Sequence, residues 1–347
     1  MECSLPKVSV VIPCRDEALS IEACIRSVIT GIYPKDRLEV LVVDGMSGDG
    51  TREIVEAYAA RHDFIRLLDN PKKITPVALN IGITNATGGI IVVLGAHATC
   101  SREYILKCVA AIEEYSADCV GGLVTTLPAN ATPMAQAIAI GLSHPFGVGN
   151  AYFRIGTSEP RWVDTVLFGC YRREVVDRIG MFDEELVRNQ DDEFNMRLIK
   201  RGGRILLLPE AVSYYYARES LRKLWRMYYQ YGYFKPLVAK KIGGVLTVRQ
   251  VIPATFVLST LIMGLLAPWS LNIGRLLGAT VFTYVVIVVG CSVFVALQQG
   301  LRCAAALSLV FPVLHLSYGL GYLMGTLDFL IFKRRPGKDT ASIPITR

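Results

Sequence analysis

Two apolar segments near the amino terminus each run directly into carboxylates, and this arrangement restricts the fold more than any other feature. Val8 to Pro13 continues into Cys14-Arg15-Asp16-Glu17, and Leu38 to Val43 continues into Asp44, with a helix-like stretch, Ala18 to Thr30, between them. Near-continuous Val, Ile and Leu is typical of parallel strands covered on both faces. The pattern predicts a βαβ unit whose polar groups meet at the carboxyl edge of the strands, where open α/β sheets bind ligands. Carboxylates at that edge suit a ribose or a uracil better than a bare phosphate.

The α/β alternation continues beyond this unit and defines a soluble domain. A helix at Arg52 to Arg61 and a strand at Phe64 to Leu68 are followed by a helix from Thr75 to Asn85 and a strand at Ile90 to Leu94. Further strands and helices reach Leu208, so the fold class is α/β with a Rossmann-like sheet. We expect this domain to occupy residues 1–217.

The C-terminal third has a different composition, with three runs almost free of charge. These are Val251 to Trp269, Leu276 to Leu297 and Cys303 to Phe332. A transmembrane helix needs about 20 apolar residues, so we predict a membrane domain of about three segments over residues 250–335 and a tail over 336–347. Three full crossings would separate a cytoplasmic first domain from the basic residues that follow the third run, against the positive-inside tendency. One run, the first or the third, is therefore expected not to cross fully.

The net charge of +7 is concentrated before the first apolar run. Residues 218–249 interleave Lys and Arg with Trp, Tyr and Phe, which is typical of helices that lie among lipid headgroups. A nucleic-acid surface is the alternative, but the adjoining membrane segments favour lipid, and no nucleic-acid partner is expected. The chain lacks a signal-peptide pattern, and its nine cysteines are scattered without a Cys-x-x-Cys pair, so we predict a multi-pass protein of the inner or plasma membrane with a cytoplasmic catalytic domain.

Three motifs in order resemble those of family 2 glycosyltransferases with a GT-A fold. They are Ile12-Pro13 followed by Glu17, the loop Asp44-x-x-Ser47-x-Asp49-Gly50-Thr51, and an aspartate, Asp191, before a Glu193-Phe194-x-x-Arg197-Leu198 helix. The resemblance covers about the first 230 residues. Within the family, the chain resembles the glucosyltransferases of succinoglycan-type exopolysaccharide synthesis.

The resemblance implies a nucleotide-sugar site at the strand ends. The residues that it places there are Pro13, Arg15, Glu17, Asp44, Asp49, Lys73, Asn80, Gly95 and Ala96. For Asp49 a purely structural role in the turn is an open alternative, and Lys72 and Lys73 are either diphosphate-screening cations or solvated loop charges. Asn80 would look the same as an amide on a helix face with no ligand.

The chain departs from the family at Gly95-Ala96-His97, where Asp-x-Asp usually holds Mg²⁺ or Mn²⁺ on the donor diphosphate. Glycine has no side chain to ligate a metal, so metal binding would depend on His97, phosphate oxygens and water, a set that tolerates Mn²⁺ better than Mg²⁺. A histidine that is only packed at a strand end is the alternative. The resemblance therefore implies a divalent metal cofactor, Mn²⁺ or Mg²⁺, and the missing carboxylates argue against it.

The remaining chemistry is assigned to the second half of the domain. The family resemblance, in which an aspartate precedes a Glu-apolar-x-x-Arg-Leu helix, makes Asp191 the candidate general base, with Asp192 able to share the role. The first turn of a helix holds such a carboxylate ionised, and an acidic turn that serves only helix stability is the alternative. Gly169 and Arg172 resemble the acceptor-side loop and Trp162 is a candidate sugar platform, although a structural anchor is an equal alternative for Arg172 and Trp162.

Together these features predict an inverting transferase that moves one sugar, expected to be glucose, from a UDP-sugar to a polyprenyl-diphosphate-linked saccharide in exopolysaccharide or cell-surface glycan synthesis. Gln230-Tyr231-Gly232-Tyr233-Phe234 stands where processive synthases carry Gln-x-x-Arg-Trp, which argues against polymerisation. A polyprenyl-phosphate glycosyltransferase and a catalytically silent membrane scaffold remain alternatives.

Overall fold

The computed structural model describes residues 5–244, 247–300, 303–334 and 336. The chain forms two compact units. The first comprises the described part of Met1–Thr125 together with Tyr152–Tyr215, and the second comprises Thr126–Ala151 with the described residues after Tyr216. Most of the expected tail, 336–347, and the basic residues Arg335 and Lys338 lie outside the described residues.

The first unit is built on a nine-stranded sheet. Its strands are β1 (Val8–Cys14), β2 (Leu38–Asp44), β3 (Ile65–Asp69), β4 (Ile90–Val93), β5 (Ala98–Cys100), β6 (Cys119–Leu127), β7 (Arg161–Val163), β8 (Cys170–Arg172) and β9 (Ile205–Tyr216). The strand order is β3-β2-β1-β4-β8-β6-β9-β5, and β7 pairs with β9. β1 to β4 are mutually parallel, whereas β8 is antiparallel to β4 and β6.

Helices cover both faces of this sheet, as the apolar strands require. They are α1 (Ile21–Ile29), α2 (Thr51–Ala59), α3 (Thr75–Asn85), α4 (Tyr104–Glu114), α7 (Tyr152–Ile155), α8 (Arg173–Ile179) and α9 (Gln190–Lys200). One core cluster joins one face of the sheet to α1, α2 and α4. A second joins the other face to α3, α8 and α9.

The second unit is helical. Its helices are α5 (Pro133–Gly141), α6 (Pro145–Val148), α10 (Leu221–Ile242), α11 (Ile252–Leu266), α12 (Leu271–Gln299) and α13 (Ala304–Gly325), and a π-helical turn, Thr326–Ile331, extends the last of these. Among the described residues three helical segments are long and apolar enough to cross a membrane: Ile252–Trp269, Leu271–Gln298 and Ala304–Ile331. This agrees with the three runs in the sequence.

One segment falls in a different unit from the one that the sequence indicated. Thr126–Ala151 lies within the range 1–217 expected for the first domain, but it packs with the C-terminal helices. The reason is the small, apolar surface of α5: a Cβ atom added at Gly141 would lie 2.6 Å from the Val310 side chain of α13. Close contact of this kind needs small residues on one helix, and α5 supplies alanines and a glycine.

Candidate active site

The carboxyl edge of β1, β2 and β4 is a topological switch point. From β1 the chain moves to β2 and β3 on one side, and then crosses to β4 on the other side. The backbone keeps the strand ends together, since Gly45 N–H donates to the Cys14 carbonyl at 2.8 Å and Leu94 N–H donates to the Val11 carbonyl at 3.0 Å. Ligands of open α/β sheets bind in the crevice at such a point.

The loops that follow β1 and β2 are joined by side-chain hydrogen bonds. The Asp16 N–H donates to the Ser47 Oγ at 2.8 Å, and the Glu17 N–H donates to the Thr51 Oγ1 at 2.8 Å. Asp16 has φ 52°, a left-handed conformation that aspartate tolerates better than most residues. These contacts give the two loops one fixed conformation.

Asp49 belongs to this loop junction. Its carboxylate accepts from the Ala18 N–H at 3.0 Å and from the Thr51 N–H at 3.1 Å. Partial desolvation opposes ionisation, but the hydrogen bonds from Thr51 and Ala18 outweigh it and lower the pKa of Asp49. The contacts favour the structural alternative for Asp49, and its nucleotide-binding role stays a prediction.

Asp44 is fully buried at the end of β2. Its carboxylate accepts from the Ser47 N–H at 3.0 Å, from the Ser47 hydroxyl and from Arg52 Nη1 at 3.1 Å, and Arg52 also pairs with Asp69 at 2.7 Å. A carboxylate has about four acceptor positions, so these bonds fill most of them. The sequence analysis missed Arg52; its position in the first turn of α2, after a strand-end aspartate, was the available signal.

Cys14, opposite Asp44 in the β1–β2 register, is not a nucleophile. Burial, followed by the Asp44 charge and the thiol's hydrogen bond to that carboxylate, raises the pKa of Cys14 far above its ordinary value. A neutral thiol of this kind packs as a small apolar residue.

Glu17 and His97 face each other across the edge. The His97 Nδ1 atom lies 3.5 Å from Glu17 Oε1, and the Ser20 hydroxyl donates to Glu17 Oε2 at 2.7 Å. His97 is 43% exposed and packs edge-on against Tyr215, with ring centroids 5.5 Å apart. Tyr215 also contacts the Arg154 guanidinium, which lies 5.2 Å from the ring centroid.

Packing explains why glycine replaces the usual aspartate at position 95. A Cβ atom at Gly95 would lie 3.0 Å from the Phe168 ring, which is tighter than ordinary van der Waals contact. Phe168 itself has φ 56° and its carbonyl accepts from the Tyr104 hydroxyl at 2.7 Å, so the ring cannot move away freely. Ala96 is buried, and only His97 of this tripeptide projects a polar side chain.

Among the residues that the structure describes, no group of three or more His, Cys, Asp or Glu side chains is placed to hold a metal ion. His97 and Glu17 form a pair at most, so a divalent ion would need donor diphosphate oxygens and water to complete its coordination. The protein's own donor set therefore does not fit a resident metal.

The loop before α3 brings Arg15 and Lys73 together. Arg15 Nη1 donates to the Lys73 carbonyl at 3.5 Å, and the Arg15 Nε is buried without an acceptor among the described residues. Lys73 is exposed and has φ 61°. Lys72 instead pairs with Glu184 at 2.8 Å, and this contact, followed by the Asn80 hydrogen bond, lowers the pKa of Glu184.

Asn80 holds the backbone of a neighbouring turn. Its side-chain amide donates to the Phe182 carbonyl at 2.9 Å, and its carbonyl oxygen accepts from the Phe182 N–H at 2.9 Å. Both ends of the amide are used inside the protein. The contacts give Asn80 a structural role, and its nucleotide-binding role stays a prediction.

Two of the three acceptor-side candidates are engaged away from the switch point. Arg172 pairs with Ile90 at the amino end of β4, and its guanidinium donates to the Ala117 and Ile112 carbonyls at 3.1 and 2.9 Å. It therefore anchors the end of α4 at the opposite edge of the sheet, and the geometry contradicts its acceptor-side placement. Trp162 is 45% exposed on β7 and lies under the Arg204 guanidinium, 4.4 Å from the ring centroid.

Gly169 does lie at the carboxyl edge. Its carbonyl accepts from the Val93 N–H at 3.0 Å, two residues before Gly95. A Cβ atom at Gly169 would lie 2.8 Å from the Tyr171 ring, so glycine is required for this approach.

Asp191 and Asp192 lie in the first turn of α9, as expected. Burial, then the charges of Cys119 and Asp191, raise the pKa of Tyr171. Asn195 accepts from the Tyr171 hydroxyl at 2.8 Å and donates to Thr165 Oγ1 at 2.9 Å. These bonds tie the middle of α9, four residues after Asp191, to the segment that leads to Phe168 and Gly169 at the carboxyl edge.

Comparison with known proteins agrees with this geometry. A family model described as glycosyl transferase family 2 matches residues 9–180. A Methanococcus voltae protein named dolichyl N-acetyl-alpha-D-glucosaminyl phosphate 3-beta-D-2,3-diacetamido-2,3-dideoxy-beta-D-glucuronosyltransferase is 30% identical over 75% of this chain and 82% of its own length. The succinoglycan biosynthesis protein ExoA of Rhizobium meliloti (strain 1021) is 28% identical over 92% of this chain and 95% of its own length.

A solved structure gives the same fold. The mannosyltransferase PcManGT from Pyrobaculum calidifontis, in complex with GDP-Man and Mn²⁺, aligns with a TM-score of 0.56 at 19% identity over 89% of this chain and 86% of its own. The sheet and its switch point thus define a GT-A glycosyltransferase domain, followed by long apolar helices. The chain belongs to glycosyl transferase family 2, and the predicted fold class and family are confirmed.

Proposed function

We propose that this glycosyltransferase moves a single sugar, glucose, from a UDP-sugar to a polyprenyl-diphosphate-linked saccharide with inversion at the anomeric carbon. One observation carries the proposal: Glu17, Asp44, His97 and Gly169 lie at one carboxyl edge, and α9, whose first turn bears Asp191, is joined through Asn195 to the segment that leads to that edge. A nucleoside diphosphate and an acceptor hydroxyl need such a shared cleft.

The polar side chains at the carboxyl edge support the binding of a nucleotide-sugar donor. Glu17 is an acceptor for a ribose hydroxyl or the uracil N–H, and Pro13 lies at the end of β1 beside it. Asp44 holds the loop after β2 through its bonds to Ser47 and Arg52, and its direct contact with the nucleotide stays a prediction. The Arg15 Nε, which has no hydrogen-bond acceptor among the described residues and lies 3.8 Å from Asp16 Oδ2, is a donor for a uracil carbonyl or a phosphate oxygen. Lys73 supplies an exposed positive charge in the adjoining loop.

The metal requirement depends on the donor. Relatives of this fold such as PcManGT hold Mn²⁺ in their solved complexes, whereas this chain offers only His97, with Glu17 beside it. These two residues would bind a divalent ion together with the diphosphate, and the ion would neutralise charge on the leaving group. Mn²⁺ accepts an imidazole ligand more readily than Mg²⁺ does.

Asp191 acts as the base in this proposal. The first turn of α9 keeps a carboxylate ionised, and an ionised carboxylate accepts the proton of the attacking acceptor hydroxyl. The UDP leaves from the opposite face of the anomeric carbon, so the product is inverted. Substitution of Asp192, one residue later, tests whether the role of base belongs to Asp191 alone or is shared.

The acceptor is assigned from the membrane helices and the relatives. Three helices of membrane-spanning length keep the enzyme at a lipid surface, and the archaeal relative is named for a dolichyl-linked sugar phosphate acceptor. We place the protein in the cytoplasmic membrane with the catalytic unit inside the cell.

The test is sugar transfer in isolated membranes. Membranes that contain wild type, Asp191→Asn, Asp192→Asn or the surface control Asp36→Asn are given labelled UDP-glucose and extracted lipid-linked acceptor. Because general base catalysis contributes about 10²- to 10⁴-fold, Asp191→Asn is expected to lose at least about 100-fold in rate while it still binds UDP. Undiminished transfer by Asp191→Asn contradicts the base assignment, and absence of UDP binding by wild type contradicts the enzyme itself.

A further inference from the structure

α10 and α13 lie side by side along their length. Cβ atoms added at Gly321 and Gly325 of α13 would lie 2.1 and 2.0 Å from the backbone carbonyl oxygens of Tyr229 and Tyr233 in α10. Lys240, two turns after Tyr233, donates to the carbonyl of Phe329, one turn after Gly325, at 3.0 Å. Residue numbers rise together on the two helices, so they are parallel and in direct backbone contact.

α10 is not built to cross a bilayer. Its basic residues are Arg222, Lys223, Arg226, Lys235, Lys240 and Lys241. The uncharged stretch between Arg226 and Lys235 is Met227 to Phe234, which spans about 12 Å at 1.5 Å per residue. A hydrocarbon core is about 30 Å thick, so a crossing would bury several charges. Because α13 packs parallel to α10, α13 cannot cross the bilayer without carrying the charges of α10 into the hydrocarbon.

The first half of α13 is held by the α5–α6 segment. Cys303 Sγ donates to Gln136 Oε1 at 3.6 Å, and His315 Nε2 lies 2.7 Å from the Phe146 carbonyl. The chain enters this segment from the sheet-bearing unit after Thr125 and returns to it at Tyr152. Two helices as short as α5 and α6 cannot cross a bilayer and return, so both halves of α13 are tied to elements that stay on one side.

α11 and α12 differ from α13 in what they expose. The large apolar side chains that are exposed on α11 are Ile252, Leu258, Leu261, Ile262, Leu265 and Leu266, and α12 exposes eleven more. Between Ala304 and Gly325 only Leu309 and Met324 are exposed to that degree among the described residues. In the most apolar 18-residue stretch of each candidate span, the buried fraction is 11% for the first, 22% for the second and 39% for the third.

Polar groups on α13 and the turn after it find partners inside the second unit. The Tyr233 hydroxyl donates to Asp328 at 2.7 Å, and Arg334 pairs with the same carboxylate at 2.8 Å. α11 and α12 form a hairpin. Trp269 lies in the turn between them and Arg275 lies in the first turns of α12, and an aromatic ring and a long cation are typical of a lipid–water boundary.

From this geometry we infer that the chain crosses the bilayer only twice, as an α11–α12 hairpin, and that α10 and α13 form a surface lying among the lipid headgroups on the side of the sheet-bearing unit. The lysines and arginines of α10 face anionic headgroups in this arrangement. Lys333 and Arg334 then lie on the same side as the catalytic unit, which restores the positive-inside pattern. The inference does not depend on the identity of the donor or acceptor.

Single-cysteine labelling tests the topology in the full chain. Glu53→Cys marks the sheet-bearing unit, Asn272→Cys marks the hairpin turn and Lys333→Cys follows α13; all three side chains are exposed. The unmodified protein gives the background, since every described native cysteine is buried except the half-buried Cys291. A membrane-impermeant maleimide is applied to sealed cells and to inside-out vesicles.

We expect Lys333→Cys and Glu53→Cys to label in the same vesicle orientation, and Asn272→Cys only in the opposite one. Labelling of Lys333→Cys on the opposite side from Glu53→Cys overturns the inference, as does labelling of Asn272→Cys on the same side. A fluorescent protein fused after Arg347 provides a second measurement: if Glu53→Cys is cytoplasmic, that fusion must fluoresce, and a dark fusion also overturns the inference. If Glu53 and Lys333 are both outside, the cytoplasmic placement under Proposed function fails and the two-crossing topology stands.

Discussion

His97 is the residue whose role most depends on the chemistry of the donor. It stands where the family resemblance implies a metal-binding carboxylate, contacts Glu17 at 3.5 Å and remains partly open to solvent. A lone imidazole holds a divalent ion only when the diphosphate supplies further oxygens. Its contribution therefore appears in UDP binding rather than in the free protein.

Titration calorimetry with UDP measures that contribution. Wild type is expected to bind UDP more tightly with Mn²⁺ than with EDTA, and His97→Ala is expected to lose at least about tenfold in affinity in Mn²⁺ and nothing in EDTA. Loss of an outer-shell partner of a metal ligand already costs about 10- to 100-fold, and loss of the ligand itself is expected to cost no less. Asp36→Asn, on the surface, is the control. Equal UDP affinity of wild type with Mn²⁺ and with EDTA contradicts the metal role.

Arg172 is expected to matter for stability and not for the acceptor. Its guanidinium holds the Ile112 and Ala117 carbonyls and pairs with Glu113 at 2.9 Å. Hydrogen bonds from a charged group contribute about 1.5–3 kcal/mol, so Arg172→Ala should lower the free energy of unfolding by about 2 kcal/mol. Thermal unfolding and acceptor KM are measured together. A raised acceptor KM with unchanged stability would restore the acceptor-side assignment.

At the scale of elements, β1, β2 and the turn before β4 share a buried carboxylate. Glu39 accepts from the Ser9 hydroxyl and from Thr87 Oγ1 at 2.9 Å, and it is 6% exposed. Burial acts to raise the pKa of Glu39, but the hydrogen bonds from Ser9 and Thr87 exceed that effect and lower the pKa below its usual 4.5. A lowered carboxyl pKa stabilises the fold in the ionised form.

The lowered pKa of Glu39 determines how the stability of the fold changes with pH. The stability that Glu39 contributes is complete above pH about 4.5 and is lost as the pH falls through the lower, folded-state pKa. Glu39→Gln should therefore lower the melting temperature at pH 7 and reduce its fall on acidification, measured in detergent from pH 7 to pH 3. A parallel pair of melting curves would show that Glu39 makes no such contribution.

Strands that consist of long apolar runs were predictable from the sequence. Features that depend on the direction of a strand or on its tertiary contacts were not. Val8 to Cys14 and Leu38 to Asp44 emerged from composition alone, and Glu17, Asp44 and His97 lie at the edge that these strands define. Arg172 was misplaced because no sequence pattern shows that β8 runs antiparallel to β4. β5 and β7 have three residues each, too few for a period of two to be read.

At the scale of the whole molecule, a catalytic unit and a membrane unit share one chain that passes between them three times. Thr126–Ala151 leaves the sheet and packs among the C-terminal helices, and its small residues gave no signal of that partner. The apolar surfaces of α11 and α12 are exposed over most of their length, as for helices surrounded by lipid.

Extraction experiments separate embedding from surface adhesion. Because the proposed topology puts the α11–α12 hairpin in hydrocarbon, we expect the full chain to stay in the membrane pellet after high salt and after alkaline carbonate, and detergent to release it. Salt weakens headgroup attraction but not apolar insertion. Release by carbonate alone would show that no segment is embedded.

The bond between Gln136 and Cys303 joins residues 167 positions apart. A ribosome adding about 5–20 residues per second needs roughly ten to thirty seconds to make the second partner after the first. During that interval the apolar side of α5 has been synthesised but its cover has not. Nascent chains that stall before residue 303 would therefore present this surface to chaperones, and the last helix to emerge completes a contact begun in the first half of translation.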